Sequence, residues 1–131
     1  MTIKAIVFDF YGVIFTPAGI DETLLDFIRT LRRHYKVGIL SNSANTLRTF
    51  LQEHTAQDMF DAIVVSAETP YIKPQREIFE LAAKKLAVQL DEVFFVDDSP
   101  ANITAAQSYG MQGHVYTTMG ELREALKKEG L

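Results

Sequence analysis

Two hydrophobic patterns alternate along the chain. Continuous apolar runs rich in β-branched and aromatic residues occupy 4–8, 36–40, 60–65, 93–96 and 113–116. Runs this short, bounded by turn residues, predict strands buried on both faces of a parallel sheet. Between them apolar residues recur at helical spacing. Leu24, Leu25, Phe27, Ile28 and Leu31 form one such stripe, and Ile78, Phe79, Leu81, Ala82 and Leu86 another. Further helices are expected over 44–54, 101–109 and 120–128. The resulting order βαβαβαβαβα implies a parallel sheet with right-handed crossovers and helices on both faces.

Turn chemistry refines the boundaries. Gly12, Pro17 and Gly19 make 12–21 a short flap above the first strand. Asp21 is placed to cap the first helix, and Arg29, Arg32 and Arg33 complement the dipole at its far end. Pro74 is expected in the first turn of its helix. One of Asp97, Asp98 and Ser99 is expected to cap the next, with Pro100 near its first position, and Gly110 to end it. His34, His54 and His114 read as surface, solvated and strand-end side chains.

Composition narrows the class. A chain of 131 residues, 47% hydrophobic and 23% charged, is expected to fold as one domain, residues 1–131, around a single core. Thirteen basic against seventeen acidic residues give a net charge of −4, which argues against a nucleic-acid backbone as partner. The absence of cysteine excludes disulfides and thiolate metal sites and fits a reducing, cytoplasmic setting. The apolar run before Asp9 is too short for a signal-peptide core or a membrane span.

Candidate chemistry lies where the strands end. The first run stops at Asp9, and in open α/β sheets ligands bind outside the carboxyl ends of the strands. The second ends in Ser41-Asn42-Ser43, which can either donate hydrogen bonds to an anionic oxygen above Asp9 or cap the 44–54 helix. Lys73, just ahead of a helix, can reach the same crevice as a compact charge. The fourth run ends in Asp97-Asp98. Carboxylates sharing one crevice repel one another unless a cation sits among them, and a hard, oxygen-ligated ion such as Mg²⁺ meets that need. Asn102, one helical turn beyond Asp98, faces the same way and can support the ion or a water on it.

Taken together, 8–13, 40–43, Lys73-Pro74 and 96–102 resemble the four motifs of the haloacid dehalogenase-like hydrolases, in that family's order and over nearly the whole chain. The resemblance implies a three-layer α/β/α Rossmann-like fold with five parallel strands in the order 5-4-1-2-3. It also implies a phosphatase in which Asp9 is the nucleophile and forms an aspartyl phosphate. Ser41, Asn42 and Lys73 would hold the phosphate of the substrate, and Asp97 and Asp98 would hold Mg²⁺.

One position departs from the pattern. The phosphatases of this family carry a second Asp two residues after the nucleophile, where this chain has Tyr11. A phenol titrates near pH ~10, so Tyr11 can donate to a leaving group but is a poor base at neutral pH. General acid–base help is worth roughly 10²–10⁴ in rate, so slow turnover or a preference for activated phosphates is expected. The backbone carbonyl of Tyr11 can still bind the metal, beside Asp9. Tyr11 also resembles the first motif of the 2-haloacid dehalogenases, against which Asp97-Asp98 argues. A receiver-like phosphorylation switch and a silent phosphate-binding member are the non-enzymatic alternatives. Neither 15–21 nor the thirty or so residues between Ser43 and Lys73 has room for a cap domain. An open site implies a bulky or macromolecular phosphorylated substrate, a lid from a neighbouring subunit of a homo-oligomer, or low specificity.

Overall fold

Successive side chains of a strand point to opposite faces, so a run without polar residues buries both. Residues 5–8, 37–41 and 93–97 do so here, while the runs that become the two edge strands are only half-buried over 62–63 and 112–115, contrary to the expectation for them. In the computed structural model, which describes residues 2–54 and 59–131, the elements in order are β1 (Ala5–Phe8), β2 (Phe15–Thr16), β3 (Gly19–Ile20), α1 (Glu22–Leu31), β4 (Lys36–Ser41), α2 (Thr46–His54), β5 (Ala62–Val65), α3 (Arg76–Lys85), β6 (Val93–Asp97), α4 (Pro100–Ser108), β7 (Gln112–Val115) and α5 (Met119–Lys128). The main sheet has five strands in the order β5-β4-β1-β6-β7, and every pairing in it is parallel. Counting only those five along the chain, the order is 3-2-1-4-5, which is the expected 5-4-1-2-3 read from the other edge. The extra numbers belong to the β2–β3 hairpin, the flap predicted from Gly12, Pro17 and Gly19.

The two faces hold separate apolar layers. Ile6, Phe8, Ile39, Phe94 and Val96 pack with Leu24, Ile28, Leu47, Leu51 and Leu122 from α1, α2 and α5. Val7, Leu40 and Phe95 pack with Ile78, Phe79, Ala82, Ile103 and Ala106 from α3 and α4. Phe8, Phe94 and Phe95 are essentially inaccessible, each worth about 1.5–3 kcal/mol relative to an exposed ring. No helix among the described residues is long and apolar enough to cross a membrane.

Caps fall where expected on two helices. The Asp21 carboxylate accepts from the Leu24 N–H at the start of α1. Ser99, with Pro100 at the first position of α4, accepts from the Asn102 N–H. Two boundaries differ from the expectation. Pro74 lies ahead of α3 rather than in its first turn, because a closed turn precedes the helix: the Gln75 N–H donates to the Ile72 carbonyl at 2.8 Å and the Ile72 N–H to the Gln75 side chain at 2.9 Å. Gln75 is thus the N-cap. The helix expected from residue 44 starts at Thr46. Ser41-Asn42-Ser43 does not cap it, since the Asn42 amide and the Ser43 main chain bond to the segment that follows β5.

Candidate active site

Because every strand of the main sheet is parallel, the residues after β1, β4 and β6 emerge at one edge. Asp9 extends β1, its N–H donating to the Val96 carbonyl at 2.8 Å. The Phe10 N–H donates to Asp9 Oδ1 at 2.8 Å. The chain then turns tightly, with the N–H groups of Val13, Ile14 and Phe15 all aimed at the Phe10 carbonyl. This knot fixes the direction in which Asp9 leaves the sheet.

Lys73 joins the two acidic strand ends. Its Nζ lies 3.0 Å from Asp9 Oδ1 and 2.8 Å from Asp97 Oδ2, and all three side chains are buried. Its Nζ lies over the Phe95 ring, 5.6 Å from the centroid. Asn42 positions the lysine through its main chain: the Lys73 N–H donates to Asn42 Oδ1 at 2.8 Å, and Asn42 Nδ2 donates to the Lys73 carbonyl at 3.1 Å. Sequence reasoning put the Asn42 amide on substrate. The structure engages it with the chain, because a loop approaching from β5 needs an anchor at the end of β4.

The three acids sit in different environments. Burial, reinforced by the Asp97 charge, pushes Asp9 up to about 6 against the pull of Lys73 and the Phe10 N–H. Burial also pushes Asp97 upward, but Lys73, the Ser99 N–H and Asn102 together outweigh it and hold Asp97 below the usual range. Asp98, the exposed member, is raised by burial of its carboxyl and by Asp97 next to it. One oxygen from each acid can be chosen so that all lie within 4.8 Å of one another. Three carboxylates against the single ammonium that bridges two of them leave a net negative pocket of hard oxygen donors. That donor set fits Mg²⁺.

Around this core, Ser41 closes β4 with its hydroxyl buried and without a hydrogen-bond partner among the described residues. A buried hydroxyl left unmet costs ~1–3 kcal/mol, which an anionic oxygen would recover. Asn102 Nδ2 donates to Asp97 Oδ2 at 3.1 Å, so its amide supports Asp97, whereas its place one turn beyond Asp98 suggested an ion or a water on it. Tyr11 is exposed, its ring edge-on to Phe10 and Phe15. The structure thus gathers Asp9, Lys73, Asp97 and Asp98 directly.

Gly12 is the site residue that hydrophobic patterning does not reveal, having served there only as turn punctuation, to end the first strand and open the flap. Its φ is +86°, and a Cβ added there would lie 2.2 Å from Asp98 Oδ2. Only glycine lets this turn lie against that carboxylate. Gly12→Ala is expected to displace Asp98 and lower stability by about 1–3 kcal/mol. Urea unfolding checks the stability, and an unaltered midpoint would show that the turn can relax around a methyl group.

Comparison with known proteins follows the same lines. The model of a family described as haloacid dehalogenase-like hydrolase matches residues 17–115. D-Ribitol-5-phosphate phosphatase of Bacteroides thetaiotaomicron is 29% identical over 100 residues, covering 71% of this chain and 48% of that protein. The chain spans about half the length, or less, of the curated relatives it matches. An uncharacterized protein of Corynebacterium glutamicum superposes with a TM-score of 0.81 at 22% identity, over 98% of this chain and 96% of its own. A haloacid dehalogenase family enzyme of B. thetaiotaomicron, solved with magnesium and inorganic phosphate, gives a TM-score of 0.69 at 26% identity over 79% of this chain and 57% of that one. The chain is therefore a member of the haloacid dehalogenase-like hydrolase family.

Proposed function

We propose that residues 1–131 act as one uncapped core domain that hydrolyses phosphate esters or acyl phosphates with the help of Mg²⁺. The observation that carries this reading is the Lys73 ammonium held 3.0 Å from Asp9 and 2.8 Å from Asp97, with a third carboxylate beside them. The relative that acts on D-ribitol 5-phosphate and the relative solved with magnesium and phosphate point the same way.

In this reading the Lys73 ammonium and the Ser41 hydroxyl hold the phosphate oxygens of the substrate. An Asp9 oxygen attacks phosphorus in line as the bond to the leaving oxygen breaks. The leaving oxygen takes a proton from water or from the Tyr11 phenol; an acyl leaving group needs none. Water then attacks the phosphorus of the aspartyl phosphate, frees inorganic phosphate and restores the Asp9 carboxylate. Asp9, Asp97, Asp98 and the Tyr11 carbonyl would hold Mg²⁺, which would supply positive charge to the phosphate when bound. Asp97 also anchors Lys73: its Oδ2 accepts from Lys73 and Asn102, while its Oδ1, which accepts from the Ser99 N–H, keeps a lone pair for the ion.

The metal reading has a test independent of turnover. Mg²⁺ at ten times its Kd should stabilise the fold by roughly 1.4 kcal/mol, raising Tm by about 5 °C. Asp98→Ala should remove that rise. A Tm that ignores Mg²⁺ would count against the site.

A further inference from the structure

Among the described residues, Tyr11 and Ile72 are the exposed large hydrophobic side chains, at 47% and 55% exposure. Scattered exposed apolar residues need no explanation. These two, however, belong to the segments that deliver the Asp9–Lys73 pair. Tyr11 is two residues beyond Asp9, and Ile72 immediately precedes Lys73, whose Nζ is 3.0 Å from Asp9. Their segments are anchored on opposite faces of the sheet, Phe15 packing against one apolar layer and Tyr71 against the other.

From Tyr11 the apolar surface continues. Its ring centroid is 5.8 Å from that of Phe15, and Phe15 is 5.9 Å from Phe50 on α2. Both phenylalanines are only partly buried. Of the amides on these segments, Asn42 is engaged by the Lys73 main chain, Asn102 Nδ2 by Asp97 and Gln75 Oε1 by the Ile72 N–H. Arg48 is likewise held, by Glu68 and the Ile63 carbonyl.

We infer that the mouth of this site selects phosphate monoesters of apolar alcohols over those of polyols, with Tyr11 and Ile72 flanking the organic group next to the phosphate. The inference rests on the phosphate-binding reading above but not on turnover. An apolar chain lying across this surface is covered on one side only, so each added methylene should gain about half the effect of full burial, a factor of roughly two in affinity.

The experiment measures Kd by calorimetry for ethyl-, butyl- and hexylphosphonate, non-hydrolysable and alike in charge, with Mg²⁺ present. Affinity should rise about tenfold or more from ethyl to hexyl in the native chain. Ile72→Ser, a change at an exposed position, should flatten the series without abolishing ethylphosphonate binding. Equal affinities across the series, or an unchanged slope in Ile72→Ser, would overturn the inference. Failure to bind any phosphonate would overturn it together with the phosphate site. Chain-length-dependent binding without phosphate release from acetyl phosphate would support the apolar flank and sink only the hydrolytic reading.

Discussion

Replacing Asp9 with Asn is expected to reduce Mg²⁺-dependent phosphate release from acetyl phosphate by roughly 10³-fold or more, as loss of a covalent nucleophile does elsewhere. The substitution keeps the size of the side chain and leaves an amide oxygen that can still accept from the Phe10 N–H. Loss of rate with both the fold and the Mg²⁺-induced rise in Tm retained would therefore isolate the chemistry. An aryl phosphate assayed in parallel should be hydrolysed more slowly than acetyl phosphate, because Tyr11 stands where an acid–base carboxylate would otherwise assist.

The native rate should also depend on pH in a definite direction. In the proposed mechanism attack requires the Asp9 carboxylate, and burial raises that group to about 6. Turnover at subsaturating Mg²⁺ should thus rise between pH 5 and 7 by roughly tenfold and then level off, the profile moving to lower pH as Mg²⁺ saturates. Release that survives in Asp9→Asn would sink the mechanism. No release from the native chain would leave a silent binding domain or a dehalogenase, which a halide-release assay separates.

Lys73→Met should lower stability at pH 8 by about 3–5 kcal/mol, the usual result of removing one partner from a buried ion pair. The ammonium serves both Asp9 and Asp97, and both carboxylates are buried. The pH dependence separates this cause from lost packing. In the native protein Asp9 has a raised pKa, so its contribution to stability is complete below the unfolded value near ~4 and is lost as pH rises through about 6. Asp97 is held low and behaves oppositely, contributing above that range and losing its contribution as pH falls. Without Lys73 both carboxyls are raised, so the variant should approach native stability as pH falls from 8 toward 5. Urea unfolding at several pH values gives the difference directly, and a constant difference would mean that the missing cation is not the cause.

Strand and helix identities were legible because the chain uses unmixed patterns. Val93-Phe94-Phe95-Val96 has no polar residue and becomes a strand buried on both faces, while Leu24, Leu25, Ile28 and Leu31 line the inner side of α1. The convergence of Asp9, Lys73, Asp97 and Asp98 was legible for a topological reason, since parallel strands present their ends at one edge. Side-chain allegiance was not. Whether Asn42 faced a ligand or the chain depended on where the Ile72–Gln75 turn brought the Lys73 main chain, a contact between segments 31 residues apart in sequence. Gly12 was obscured similarly, because its constraint comes from Asp98, and the strand pattern around it records nothing about that neighbour. The start of α2 at Thr46 has the same origin, the preceding residues being bound across the edge to the loop after β5.

The placement of β1 between β4 and β6 has a consequence for biosynthesis. Translation delivers β1, then β4, and only after residue 92 the strand that completes the other side of β1. Until then a nascent chain carries an apolar central strand with one row of backbone donors and acceptors unmet, the kind of edge that recruits strands from other chains. The same late segment brings Asp97, without which Lys73 lacks half of its countercharge. A ribosome stalled before residue 93 would therefore hold a chain prone to association, and release from that hazard would coincide with completion of the acidic cluster.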